Sequence, residues 1–333
     1  MQHMTKDDIL RLLTISKSAF VSGEKLALKL NITRAAVWKH IKALEQEGYE
    51  IEAVPSKGYR LMSIPDAINL RDIEAAVKTK MIGRKVHLLA EVESTNSAAV
   101  EMAAAGAPEG TIVAAEVQTG GKGRLGRTWI SPKGNLYLSV ILRPKIAPNK
   151  APLVTLMGAV AVVSAIRKQT EVHAQIKWPN DIFSGERKIG GLLTEMRAEP
   201  DQVRHIVLGI GLNVNMNAAS LPPAVASLAT TLSAETGSPV NRTGLLVEIA
   251  SELDRWYQTF LKNDAEILRA WEAMNMTIGR QVTVSSANET IQGTAEAIDH
   301  DGRLVIRTID GALQAVAAGD VTLVKRGTDT ETL

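Results

Sequence analysis

Residues 121–129 read GKGRLGRTW, packing three glycines, Gly121, Gly123 and Gly126, and three cations, Lys122, Arg124 and Arg127, into nine positions. Glycine lets a backbone fold closely round an anion, and arginine forks grip phosphate through paired hydrogen bonds. The composition suits a loop that closes over phosphate, and a nucleotide is the expected ligand. The spacing Gly121-x4-Gly126-Arg127-Thr128 departs from the phosphate loop of the nucleotide triphosphatases by one residue, arginine for lysine. That motif must open a helix whose N-terminus holds the phosphates. Here Ser131-Pro132-Lys133-Gly134 reads as a turn and 136–142 as a strand, so the motif is rejected on its context. Taken alone, the segment also reads as a solvated basic hairpin.

Other chemistry-bearing groups keep it company. Glu93-Ser94-Thr95-Asn96 and Gln118 lie upstream; Lys177-Trp178-Pro179-Asn180-Asp181, Arg187-Lys188-Ile189-Gly190-Gly191 and Gly209-Ile210-Gly211-Leu212-Asn213 lie downstream. In order and spacing these motifs, with the glycine loop, closely resemble those of the biotin–protein ligases, and the resemblance spans nearly the whole chain. It implies an ATP-dependent, AMP-forming enzyme that joins biotin's carboxylate to AMP and passes the acyl group to one lysine of a biotin carboxyl carrier protein domain.

Two anions must meet in that reaction. Unit charges about 4 Å apart repel by about 4 kcal/mol at an effective dielectric near 20, and a cation between them removes the repulsion and stabilises the transition state. By resemblance Lys188 is that cation, and Gly121, Lys122 and Gly123 carry Arg124 and Arg127 over the acyl-adenylate, excluding water from a hydrolysable anhydride. Ser94, Thr95, Asn96 and Gln118 resemble the polar wall that meets biotin's ureido ring, while Trp129 packs against biotin or supports that wall. The resemblance puts Lys177 close to phosphate, gives Gly191, Gly209 and Gly211 to close backbone approach, and brings Asn213 to phosphate or to the Mg2+ that arrives with ATP. Asp181 resembles the carboxylate beside the acceptor lysine. A free aspartate titrates near about 3.9 and an amine near about 10.4, so orientation suits it better than proton abstraction.

Read alone, Lys188 is one more lysine in a charged turn, and Ser-Thr-Asn is an N-cap; the constellation is what carries weight. The loop departs from the commonest family pattern at Lys122, where arginine is usual, and at Leu125, where a basic residue often sits. Residues 214–230 hold no aromatic side chain, so a cover for adenine falls to Leu221, Val225 or Leu228.

Composition agrees. A chain of 333 residues with a net charge of +2 has room for two or three domains. It has no cysteine, which excludes disulfides, thiolate zinc sites and thioester catalysis. His3, His40, His87, His173, His205 and His300 stand singly, so no protein-built metal site is expected. No apolar run is expected to approach the roughly 18 residues of a membrane span, and the first residues, with Lys6, Asp7 and Asp8, do not resemble a signal peptide. A cytoplasmic protein with no membrane partner is expected.

The elements that position these groups fall into three segments. Over 5–62 the pattern is helix, helix, turn, helix, hairpin. Thr33 is a plausible N-cap for a helix reaching about 47, whose buried face is Val37, Ile41 and Leu44. Pro55-Ser56-Lys57-Gly58 turns the hairpin. That order is a winged helix-turn-helix. Arg34, Trp38, Lys39 and Lys42 are the expected DNA contacts of its third helix, beside its cap Thr33, and Lys57 at the wing tip is expected to touch backbone. Trp38 also reads as a core residue. The first 63 residues hold ten Lys and Arg against seven Asp and Glu, a local basic excess.

After a linker over 65–72, strands are expected over 85–92, 111–117, 136–142, 172–177, 190–198 and 205–212, and helices over 96–105, 152–168, 243–261 and 264–273. Strands adjacent in sequence imply a mixed sheet, and no dinucleotide fingerprint follows a strand. Short β runs follow over 281–285, 291–297, 303–308 and 312–317. The expected fold is α/β and multi-domain: a winged helix-turn-helix over 1–64, a central α+β mixed-sheet ligase domain of the biotin/lipoate type over 65–276, and a small SH3-like β-barrel over 277–326.

A ligase with a winged helix resembles the bifunctional enzymes that also repress the biotin operon. Such a protein dimerises when liganded and binds a palindromic operator, and the glycine loop and strand 136–142 are the expected interface. Two alternatives stay open on the residues: a lipoate or octanoate ligase, and a ligand-sensing transcription factor with an inactive ligase-like domain.

Overall fold

Ile9 and Leu13, Leu26 and Leu30, and Val37, Ile41 and Leu44 are buried at spacings of three and four, the stripe an amphipathic helix turns inward. They lie on α1 (Lys6–Ile15), α2 (Gly23–Leu30) and α3 (Arg34–Gln46), followed by the antiparallel pair β1 (Glu50–Val54) and β2 (Gly58–Ser63). The computed structural model describes residues 6–16, 19–46, 48–63, 66–217, 221–285 and 289–323. Ser22 caps α2 by accepting from Lys25 N, and Asn31 ends it in the left-handed conformation at φ 51°. Thr33 Oγ1 accepts from Ala36 N at 3.1 Å, the expected cap of α3. These elements form a compact unit, Met1–Ala67, with the winged helix-turn-helix order.

The second unit is Ile68–Leu333. Pro65, where the linker was expected to start, and 324–326, at the end of the expected barrel, lie outside the described residues. The far end of that linker is already helical: Asn69 Oδ1 accepts from Arg71 N and Asp72 N and starts α4 (Leu70–Ala76), a cap the composition of the segment concealed.

The chain continues through β3 (Val86–Val92), α5 (Thr95–Ala104), β4 (Ile112–Gln118), β5 (Leu136–Leu142), α6 (Ala151–Gln169), β6 (Ala174–Lys177), β7 (Asp181–Ser184), β8 (Arg187–Ala198) and β9 (Val203–Leu212). The sheet order is β3-β4-β5-β9-β8-β7-β6; β3 and β4 run parallel and the other neighbours antiparallel, as a mixed sheet requires. Short helices α7 (Pro223–Ala226) and α8 (Leu232–Thr236) follow, then α9 (Arg242–Lys262) and α10 (Asp264–Met274), which pack with α6.

Two expectations are corrected here. Every residue of β5 is buried between β4 and β9, so this strand cannot also be a dimer interface. Residues Pro148–Gln169 form a helical stretch apolar and long enough to cross a membrane, contrary to the composition reading. Its apolar window is 78% buried, however, and Val154, Met157, Val160 and Val163 fill the core under the sheet.

The last strands, β10 (Gln281–Ser285), β11 (Thr290–Ile298), β12 (Leu304–Thr308), β13 (Leu313–Val316) and β14 (Asp320–Leu323), make an antiparallel sheet in the order β13-β12-β11-β10-β14, the small SH3-like barrel module. Its apolar face is continuous with the core of the seven-stranded sheet. The Trp178 indole donates to Gly302 O at 3.0 Å, and Lys150 Nζ donates to His300 O at 3.0 Å. The module is thereby seated against the seven-stranded sheet and its helices.

Candidate active site

A cavity of about 440 Å³ opens where the N-terminus of α5, the glycine loop, β8 and β9 converge. Its wall is a chain of hydrogen bonds. Gln118, at the end of β4, donates to Ser131 Oγ at 2.9 Å and accepts from Thr95 N at 2.8 Å and Thr95 Oγ1 at 3.1 Å. Ser139 Oγ lies 2.8 Å from Thr95 Oγ1 and 2.6 Å from Asn96 Oδ1, and Asn96 Nδ2 donates to Glu195 at 2.7 Å. Ser94 accepts from Ser97 N, so it caps α5 and lines the cavity at once. Buried polar groups satisfied in series hold their rotamers, which preorganises the wall.

At the glycine floor, protein groups already claim the space that side chains would take. A Cβ on Gly209 would sit 2.0 Å from Asn96 Oδ1, and one on Gly211 would sit 2.7 Å from Trp129 Nε1. The missing side chains make room for protein groups, Asn96 and Trp129, that themselves face the cavity. The buried Trp129 Nε1 has no hydrogen-bond partner, which leaves a donor at the site.

Cations ring the mouth, each with a partner. Lys188 Nζ lies 2.7 Å from Asp181 Oδ1 and 5.2 Å above the Trp129 ring. Arg124 donates to Asn180 Oδ1 at 2.9 Å and to Gly319 O at 3.4 Å. Arg127 pairs with Asp320, and Lys122 donates to Ser97 Oγ at 2.8 Å. Burial lowers the Arg124 pKa, while Asp320 and Asp181 oppose that shift. Burial also lowers Lys177, against the pull of Asp181 and with the repulsion of Lys188. At the loop tip Leu125 is exposed and holds φ 55°, a conformation branched side chains rarely adopt.

The structure brings together Ser94, Thr95, Asn96, Gln118, Lys122, Gly123, Arg124, Arg127, Trp129, Asp181, Lys188, Gly191, Gly209, Gly211 and Asn213 on one cavity. Gly121 and Lys177 do not line it. Gly121 instead fixes the base of the loop, its carbonyl accepting from Trp129 N at 2.8 Å. Lys177 Nζ lies 5.2 Å over the Phe183 ring. Leu221, Val225 and Leu228 line the cavity as well. Asn213 Nδ2 donates to Thr230 O at 3.2 Å.

Sequence reasoning missed Asn180, although it sits in a quoted motif, and it missed the partners Ser131, Ser139 and Glu195. It also missed Asp320, which comes from the last described strand, 193 positions from Arg127, where no local pattern could announce it. In the other unit, Trp38 is 56% exposed and is not core. Lys57 Nζ stands 5.8 Å over the Phe20 ring at the wing.

Comparison with known proteins matches this geometry. The model of the biotin/lipoate A/B protein ligase family covers residues 88–213, an HTH domain covers 5–60, and the biotin protein ligase C-terminal domain covers 277–324. The chain is 38% identical to the bifunctional ligase/repressor BirA of Bacillus spizizenii, over 97% of this chain and 100% of that protein. It is 31% identical to the BirA protein of Escherichia coli, over 93% of this chain and 94% of that one. The biotin protein ligase of Aquifex aeolicus, solved in complex with biotin and ATP, superposes with a TM-score of 0.63 at 28% identity, covering 72% of this chain and 99% of its own. Sharing nearly its whole length and all three matched regions with such relatives, the chain belongs to the family of bifunctional biotin–protein ligases and repressors.

Proposed function

We propose that this cavity forms biotinyl-5'-AMP from biotin and ATP and then hands biotin to a lysine of a biotin carboxyl carrier protein domain. The observation that carries the reading is the convergence, on one cavity, of a preorganised polar wall, an arginine-bearing loop and the Lys188–Asp181 pair. The wall of Ser94, Thr95, Asn96 and Gln118 offers donors and acceptors to a ureido ring, with Ile130, Leu192 and Ile210 among the apolar side chains lining the same cavity.

In the first step a carboxylate oxygen of biotin bonds to the α-phosphorus as the bond to the β-phosphate oxygen breaks, and pyrophosphate leaves. Lys188 stands between the two anions, and Arg124 and Arg127 exchange their protein partners for phosphate. Magnesium enters as part of the substrate MgATP. Among the described residues no group of three or more His, Asp or Glu could hold a metal ion, and Asn213, lining the cavity, is the neutral oxygen ligand best placed to meet it or the phosphate. In the second step the neutral amine of the carrier lysine attacks the acyl carbon, the bond to AMP breaks, and the amine sheds a proton. Asp181 orients that amine through its charge.

The same protein acts as a repressor, with α3 and the wing meeting operator DNA through Arg34, Trp38, Lys39, Lys42 and Lys57, and Thr33 capping the helix. We infer that ligand drives a homodimer on a palindromic operator. Since β5 is interior, a second copy is placed at the outer edge of β3, because the other edge strand, β6, is already bridged by Asn275.

Incorporation of labelled biotin into a biotin carboxyl carrier domain with MgATP tests the ligase, with lipoate and octanoate run beside it. Biotin-only transfer is expected. Transfer of lipoate or octanoate instead, or bound biotin with neither adenylate nor product, would overturn the reading. For the dimer, sedimentation is expected to shift when biotin and ATP are added together, and an unchanged profile removes the linkage.

A further inference from the structure

We propose that Trp38 reads thymine methyl groups, so that each operator half-site carries a thymine selected by an aromatic contact. This rests on the reading of the first unit as operator-binding. Val37, Ile41 and Leu44 are buried, which turns the opposite face of α3 outward. Between that face and the buried stripe, Arg34, Trp38 and Lys42 fall at i, i+4 and i+8, one ridge along the helix, and all three are exposed. Ala35 and Lys39 form the neighbouring exposed row. The apolar body of Trp38, 56% exposed, therefore sits one turn from a cation on either side.

The Arg34 side chain has no hydrogen-bond or ion-pair partner among the described residues, and Lys42, at the other end of the ridge, is held only by a solvent-exposed pair with Glu45. Cations at the two ends of such a ridge meet phosphate, and the group between them falls on base edges in the major groove. The one apolar group on those edges is the C5-methyl of thymine. A tryptophan exposed at that point gains by burial when something apolar covers it, and the small Ala35 beside it leaves the ring free to lie flat against the base step.

The test uses the full-length protein with biotin and MgATP. Duplexes enriched by it from a random pool define the half-site, and each thymine is then replaced singly by deoxyuridine, which removes the methyl and leaves the pairing intact. Affinities are read by fluorescence anisotropy at fixed salt. For the unaltered protein, one or two positions per half-site are expected to lose about fourfold per methyl. Trp38→Ala is expected to bind thymine and uracil duplexes alike at those positions, and Trp38→Phe to keep part of the discrimination. Indifference of the unaltered protein to every uracil overturns the inference while leaving operator binding intact, as does Trp38→Ala discriminating like the parent, the result expected if Trp38 instead meets another protein. Failure to enrich any duplex sinks the operator reading itself, and the inference with it.

Discussion

The two units hold their cations differently. On α3, the side chains of Arg34 and Lys39 face solvent with no protein partner among the described residues, and Lys42 keeps only a solvent-exposed pair with Glu45. Around the cavity each cation is already engaged: Lys188 with Asp181, Arg127 with Asp320, Arg124 with Asn180 and Gly319, and Lys122 with Ser97. A hydrated cation can wait for phosphate at little cost, and its binding is an exchange of counterions with bulk salt. Arg127 and Lys122 are exposed, whereas Lys188 and Arg124 are half-enclosed, and left unpaired such a cation would cost desolvation without return. The fold therefore gives it an internal partner that ligand phosphate can replace. Damage to the surface face should then be graded and titratable with salt, whereas damage at the cavity should break a network whose members depend on one another.

The sharpest way to break this comparison is at Lys188. Lys188→Met keeps the length of the side chain and removes its charge, leaving Asp181 unpaired beside the reacting anions. Adenylate formation, followed by pyrophosphate release, is expected to fall about a thousandfold, the scale of losing one preorganised charge stabiliser. Lys188→Arg is not expected to restore it, because a planar fork cannot occupy the place of a compact ammonium. A rate within a few-fold of the parent would remove Lys188 from between the substrates.

Arg124→Gly comes next. It deletes the contacts to Asn180 and Gly319 that tie the loop down, and loss of a charged hydrogen bond is worth about 1.5–3 kcal/mol. Retention of adenylate on the enzyme is expected to shorten by about ten- to a hundredfold, read as biotinylation of bystander lysines by leaked intermediate. An intermediate held as long as in the parent would end the lid role. Asp181→Asn is milder, because the amide oxygen can still accept from Lys188. Transfer to the carrier is expected to slow about tenfold, the scale of about 1.4 kcal/mol, with adenylation less affected. Equal loss in both single-turnover steps would make Asp181 a support for Lys188 alone.

Legibility in the sequence followed the same division. Elements with a strong period or a strong punctuator were readable: 136–142 and 281–285 match β5 and β10 to the residue, and Thr33 caps α3 as its position suggests. Short elements made by tertiary contact were not. β7 has four residues and exists because β6 and β8 flank it; α7 and α8 are single turns in a segment whose composition looks like loop. At the site, residues of unusual type or spacing could be found along the chain, but their partners could not. Ser139 sits in an apolar strand and looks like an interruption until Thr95 and Asn96 are seen against it. Gly209 and Gly211 were recognisable as special, yet what approaches them, Asn96 and Trp129, is a fact of the fold.

The smallest effect is expected on the solvated face, and it tests the comparison from its other side. Lys39 is exposed on α3, and removing it leaves no buried group without a partner. Lys39→Ala should therefore leave the melting temperature within experimental error and alter only the exchange of counterions at the operator. Loss of one phosphate contact lowers the slope of log affinity against log salt by about 0.9. At about 0.15 M salt that corresponds to about fivefold weaker binding per protomer, equal for operator and unrelated duplex because phosphate carries no sequence. The slope, measured by anisotropy between low and moderate salt for both duplexes, separates two cases. A parallel drop on both marks Lys39 as a free surface cation, whereas a loss confined to the operator with an unchanged slope would mean that it reads bases, and that the exposed face of α3 is as specific as the cavity is.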